Sequence, residues 1–160
     1  MTVDTADLIR ALGEAGHTVA IAESLTGGAL ASALIATPGA SAVVRGAVVA
    51  YDTELKSSVL GVDRGLLERE GPVHAEVARQ MAAGVRCVLA TAAGPASIGV
   101  STTGVAGPSS QGGRPPGTVF VAVSTDAGLL SREAEFAGDR AAIRSAAVEL
   151  ALEMLGNSVR

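Results

Sequence analysis

Tryptophan is missing from this 160-residue chain, cysteine and lysine occur once each, and the aromatic complement stops at Tyr51, Phe120 and Phe136. A lone Cys87 excludes an intrachain disulfide framework and suits a reducing compartment. It falls in an apolar helical stretch, so it is expected to be a buried structural thiol rather than a nucleophile. A core this poor in rings must be built from Val, Leu, Ile and Ala, which favours helices lying on a sheet over an aromatic β-sandwich. Positive charge is also scarce: 12 basic residues stand against 16 acidic ones, for a net charge of −4. With no Lys/Arg stripe interleaved with aromatics, no nucleic-acid partner is expected. Long apolar runs are absent too. The most apolar long stretch, Ala29 to Ala50, is interrupted by Pro38, Gly39 and Arg45 and is unfit to span a bilayer. The N-terminal residues Asp4, Asp7 and Arg10 do not make a signal peptide. The expectation is a cytoplasmic protein without a membrane partner.

What is present is small and apolar. Hydrophobic residues make up 48% and charged residues 18% of the chain, which excludes disorder. The length fits a single domain over residues 1–160, enough to bury about two-thirds of its unfolded surface. No period of 20–50 residues recurs, so a solenoid is excluded.

The patterning predicts a helix capped by Asp4 or Thr5 that stops at Gly16, then a buried strand over Thr18–Glu23. Ser24 to about Thr37 reads as a helix with Gly27 and Gly28 in its first turn, followed by a turn at Thr37–Gly39. Val43–Tyr51 reads as a strand, with short helices over Glu54–Leu60 and Asp63–Glu70. Ala75–Leu89 is amphipathic, with Val77, Met81, Val85 and Val88 at helical spacing. Ala96–Ser101 is a strand, Thr103–Gly117 a glycine-rich loop, and Thr118–Ser124 and Leu129–Phe136 a final pair of strands, the second an exposed edge. Asp139–Leu155 closes the chain as a helix. This order predicts an α/β fold, a three-layer α/β/α sandwich with a mostly parallel mixed sheet of about five strands and one antiparallel pair late in the chain. In such sheets ligands bind beyond the carboxyl ends of the strands. Glu23–Gly28, Tyr51–Lys56 and Thr103–Gly113 are therefore the candidate segments.

Ser24 follows the first strand, where its hydroxyl stands above the sheet edge. The N–H groups around Thr26, Gly27 and Gly28 are candidate oxyanion donors. The segment is not a G-x-S-x-G elbow, and an N-cap role for Ser24 is the simpler alternative. Lys56 is the single lysine among eleven arginines. Arginine stays charged, whereas a buried ammonium releases its proton, so a lone lysine suits a site that needs a general base. Tyr51, the single tyrosine, ends a strand five residues earlier. A Y-x-x-x-K dehydrogenase site is excluded by the longer spacing and by the lack of a G-x-G-x-x-G turn. What survives is a Ser–Lys nucleophile, with serine attacking, lysine as general base and tyrosine passing or holding the proton. The loop carrying Thr103, Gly104 and Gly107 is suited to an anion, with Arg45, Arg140 and Arg144 as candidate phosphate forks. It lacks the ending of a P-loop. His17 and His74 stand apart from other ligand types, so no metal site and no cofactor are expected, and His74 reads as a helix cap.

The strings IAESLTGG, RGAVVAYDTELK, TTGVAGP, PPGTVFVAVS and FAGDRAAIR, in this order, resemble the CinA C-terminal domain family from about Val19 to Leu155. The resemblance implies an α/β/α fold and hydrolysis of nicotinamide mononucleotide to nicotinate mononucleotide and ammonia, in NAD recycling. It also implies the roles given to Ser24, Tyr51 and Lys56. The chain departs from the family at Asp52 and Thr53, which replace a common Ser-Asn pair. Its glycine loop is shorter and carries Ser109, Ser110 and Gln111. These departures motivate two alternatives: a non-catalytic mononucleotide-binding or interaction module, and an amidase for another small amide. A homo-oligomer accords with the family and the small size, although no patch in the sequence specifies one.

Overall fold

The structure, a computed structural model, describes residues 3–159. The elements are α1 (Thr5–Glu14), β1 (Val19–Glu23), α2 (Ala29–Ile35), α3 (Ala40–Val43), β2 (Val44–Val49), α4 (Thr53–Ser58), α5 (Arg64–Glu70), α6 (Ala75–Val88), β3 (Ile98–Gly104), β4 (Thr118–Thr125), β5 (Gly128–Glu135) and α7 (Arg140–Asn157). Five strands form a sheet in the order β2-β1-β3-β4-β5. β1 pairs parallel with β2 and with β3, whereas β4 is antiparallel to both β3 and β5. The sequence predicts one late antiparallel pair, and the structure has two, because β4 alone reverses direction. None of the described helices is long and apolar enough to cross a membrane.

Strand parity divides the core. Val19 and Ile21 of β1, with Ile98 and Val100 of β3, join α1, α2 and α7 in one apolar cluster. Ala20 and Ala22 face the other way, toward Met81 and Val85 of α6 and the residues beneath α4 and α5. Small residues on β3 let α6 press close. A Cβ on Gly99 would lie 1.9 Å from the Ala82 carbonyl oxygen, and Ser101 Oγ donates to the Ala78 carbonyl at 2.6 Å. The two edges differ in character. β5 exposes Arg132, Glu133 and Glu135, a charged edge that discourages strand addition, as its polar alternation predicts.

Four local expectations are corrected. The stretch from Ser24 is not helical until Ala29, because Gly27 and Gly28 hold left-handed φ values of 60° and 97°. Gly28, not Ser24, therefore stands at the N-cap position. β3 continues to Gly104, so the glycine loop begins at Val105 rather than at Thr103. Cys87 is exposed on α6 rather than buried. The buried stripe of α6 runs through Val77, Ala78, Met81, Ala82 and Val85, and Cys87 lies about 200° around the axis from Val85. Val88, the last residue of α6, is 43% exposed although helical spacing places it within about 60° of Val85. His74 caps α6 as expected, its Nδ1 accepting the Glu76 N–H at 3.1 Å.

Candidate active site

Parity at the end of β1 sends two neighbouring side chains to opposite faces. Glu23 continues the row of Val19 and Ile21 and is fully buried, its carboxylate accepting the N–H groups of Gly28 (3.0 Å), Leu30 (3.1 Å) and Ala31 (2.9 Å). It serves as the cap that Gly28 has no side chain to provide. Ser24 continues the row of Ala20 and Ala22 and meets α4 instead.

Lys56 reaches Ser24 because of how α4 starts. The β2 ladder is extended by a bond from the Ala50 N–H to the Glu23 carbonyl at 2.8 Å, and Asp52 caps α4 through the Glu54 N–H at 2.8 Å. One turn later the Lys56 side chain, only 1% exposed, runs back beneath the strand end. Its Nζ donates to Ser24 Oγ at 3.0 Å and to the Ala50 carbonyl at 2.7 Å. Among the described residues its ammonium has no carboxylate within ion-pair distance. Burial pushes its pKa down to about 8, with Asp52 a weaker opposing influence.

Tyr51 is 60% exposed at the rim. Its Oη accepts from Arg140 Nη2 at 2.9 Å, and Arg140 Nη1 donates to the Gly107 carbonyl at 2.7 Å, so one guanidinium ties the β2–α4 turn to the glycine loop. Between these segments lies a cleft lined by Ser24, Leu25, Tyr51, Lys56, Thr103, Gly104, Gly107 and Arg140. Pro72, Val73, Ser109 and Gln111 complete its walls. It sits beyond the carboxyl ends of β1 and β3, where connections leave in opposite directions, as expected for an open α/β sheet.

Of the sequence-predicted residues, Ser24, Tyr51, Lys56, Thr103, Gly104, Gly107 and Arg140 are brought together. Thr103 contributes surface rather than a free hydroxyl, since its Oγ1 donates to the Pro72 carbonyl at 2.7 Å. Arg45 is not brought there. It sits at the start of β2, roughly 16 Å of extended strand from Ala50, and its guanidinium bonds Thr91. Arg144 is not a free phosphate fork: Nε donates to the Leu25 carbonyl at 2.9 Å and Nη2 to the Thr26 carbonyl at 2.8 Å. Thr26 is buried, with Oγ1 2.7 Å from Thr102 Oγ1.

The expected donors at Thr26–Gly28 are largely engaged. The Gly27 N–H bonds the Ser24 carbonyl, and the Gly28 N–H bonds Glu23. Among the described residues, the turn's N–H groups without a partner are those of Leu25 and Thr26. Sequence reasoning missed Glu23, whose signal was a carboxylate ending an otherwise apolar strand. It also missed Pro72 and Val73, which carry no chemical signature. Among the described residues no three His, Cys, Asp or Glu side chains gather as a cation site.

Comparison with known proteins agrees with this architecture. A CinA-like protein of Frankia casuarinae is 48% identical over 138 residues, covering 86% of this chain and 31% of that protein. A putative competence-damage inducible protein of Desulforamulus reducens is 45% identical over 141 residues, covering 88% and 33% respectively. The chain thus spans about a third of the length of these relatives. The crystal structure of the competence/damage inducible protein CihA from Agrobacterium tumefaciens superposes with a TM-score of 0.85 at 35% identity, covering 98% of this chain and 96% of that one. A CinA superfamily protein from Enterobacter cloacae gives 0.90 at 28% identity, covering 100% and 95%. With the CinA C-terminal domain profile matching residues 3–159, the chain belongs to the CinA C-terminal domain family.

Proposed function

We propose that the protein is an amidohydrolase that converts nicotinamide mononucleotide and water to nicotinate mononucleotide and ammonia. One observation carries the reaction type: the buried Lys56 Nζ lies 3.0 Å from Ser24 Oγ. With a pKa near 8, about a tenth of Lys56 is neutral at pH 7. The neutral amine keeps one N–H on the Ala50 carbonyl and turns its lone pair to the serine hydroxyl. That is the arrangement a serine nucleophile requires of its base. The substrate follows from the family resemblance, and the cleft is compatible with it: polar loop backbone at Gly104 and Gly107 and the Arg140 guanidinium suit a phosphate.

In this reading Ser24 Oγ bonds to the carboxamide carbon as its proton passes to Lys56 Nζ. The tetrahedral adduct then collapses. The C–N bond breaks, and the proton moves from Lys56 by way of the Tyr51 hydroxyl to the departing nitrogen, which leaves as ammonia. Water attacks the resulting ester as Lys56 takes its proton, the C–Oγ bond breaks as Lys56 returns that proton to Oγ, and the acid product leaves as the carboxylate after losing its own proton to solvent. The test is ammonia release from nicotinamide mononucleotide by purified protein, beside Ser24→Ala and Lys56→Arg. Turnover in the parent and loss in both variants is expected. Tight mononucleotide binding without ammonia release would favour the binding-module reading, and release from a different small amide alone would reassign the substrate.

A further inference from the structure

The turn that carries Ser24 is held from both sides by charged side chains that bond only to backbone. Glu23 takes the N–H groups of Gly28, Leu30 and Ala31, and the Ala29 N–H goes to the Thr26 carbonyl. The start of α2 is therefore closed to any external anion. From the opposite polarity, Arg144 on α7 bonds the carbonyls of Leu25 and Thr26. Among the described residues it forms no ion pair with a carboxylate, unlike Arg10, Arg64, Arg79, Arg86, Arg114 and Arg132. A half-buried guanidinium that binds two successive carbonyls in place of a carboxylate fixes two peptide planes. Its closeness is also marked at Gly27, where an added Cβ would sit 3.4 Å from Nη2.

We infer that Arg144 is a positioning residue that sets the Ser24–Gly28 turn so that the backbone N–H of Leu25 faces the cleft as the oxyanion donor. In a trans peptide the N–H points opposite to the C=O. The Gly27 N–H holds the Ser24 carbonyl and Arg144 holds the Leu25 carbonyl, so both peptides that flank Leu25 are fixed and its N–H points away from the Ser24 carbonyl. The Leu25 N–H is that of the residue after the nucleophile, the usual position for one oxyanion donor of a serine hydrolase, and Leu25 lines the cleft. This inference rests on the proposed serine chemistry and replaces Thr26–Gly28 as the donor set.

The experiment compares the parent, Arg144→Ala, Arg144→Lys and the surface control Arg132→Gln in two reactions. The first is steady-state ammonia release from nicotinamide mononucleotide. The second is phosphonylation of Ser24 by an alkyl fluorophosphonate, in which the Oγ–P bond forms, fluoride leaves and Lys56 takes the proton; peptide mass identifies the site. Arg144→Ala is expected to lower kcat and the labelling rate about 100-fold, the order seen for loss of an oxyanion donor, with KM within about twofold. Arg144→Lys should recover only a small part of this. Added guanidinium should partly restore Arg144→Ala but not Ser24→Ala, a rescue that mere destabilisation would not produce. Unchanged kcat with raised KM would make Arg144 a substrate contact and overturn the inference. So would a loss that follows a lowered melting temperature without rescue. If the parent labels at Ser24 yet releases no ammonia, the substrate reading fails while the ratio of labelling rates still decides the role of Arg144. A parent that does neither overturns the serine chemistry and this inference together.

Discussion

Lys56 Nζ and Ser24 Oγ, 32 positions apart in sequence, are joined by a 3.0 Å hydrogen bond, and among the described residues the lysine's only other polar contact is the Ala50 carbonyl. Burial without a carboxylate partner lowers the pKa of the amine to about 8, so it releases its proton more readily than an exposed lysine. The first prediction follows from its sign. A base must be deprotonated, so kcat/KM rises with pH and levels off above about 8. Lys56→Arg, which holds its charge above pH 12, should abolish turnover by at least about 1,000-fold. A rate profile that is flat from pH 6 to 9 would remove Lys56 from the role of base.

The same shift makes Lys56 a liability for stability. Its folded pKa, about 8, lies below the ordinary 10.5, so between these values the unfolded chain binds the proton and the native protein does not. Stability contributed by this site is therefore lowest below pH 8 and increases as pH rises toward 10.5. Urea unfolding of the parent and Lys56→Met at pH 7 and 9.5 reads the effect as a difference. The parent should gain about 2 kcal/mol on the variant over that interval. A constant difference would mean the amine titrates alike in both states.

Tyr51 and Arg140 should act as a unit. Arg140 binds both the Tyr51 hydroxyl and the Gly107 carbonyl, so Tyr51→Phe and Arg140→Gln each disturb the same bridge. Each substitution is expected to lower kcat/KM about tenfold, and the double variant to lose much less than a hundredfold. Full additivity would show the two side chains working independently.

Glu23→Gln tests the cap on α2. Three backbone N–H groups point at this buried carboxylate, and a carboxamide offers only one accepting oxygen with an amine that opposes them. A loss of about 1–3 kcal/mol in chemical denaturation is expected. Stability equal to the parent would mean water readily replaces the lost acceptor.

Close approach of α6 to the sheet is tested by Gly99→Ala. The added Cβ would stand 1.9 Å from the Ala82 carbonyl oxygen, which cannot yield without moving the helix backbone. Destabilisation of about 3 kcal/mol or more is expected by thermal or urea unfolding. A neutral result would show that α6 lifts from the sheet without penalty.

The sequence by itself determined the alternation of elements, the three loops at one sheet edge and the Ser24, Tyr51 and Lys56 constellation. Those follow from hydrophobic period, turn residues and the rarity of lysine and tyrosine, all of which are local properties. The tertiary structure decided what depends on direction and on neighbours. Cys87 faces solvent because the buried stripe of α6 is set by the sheet it meets, which a helical period alone does not orient. Arg45, Arg140 and Arg144 are chemically identical in the sequence. Only packing sends the first to Thr91, the second to the cleft and the third to the carbonyls of the nucleophile turn. Which N–H groups stay free for a ligand was likewise a tertiary matter, since Glu23 takes the Gly28 N–H and the Ser24 carbonyl takes that of Gly27.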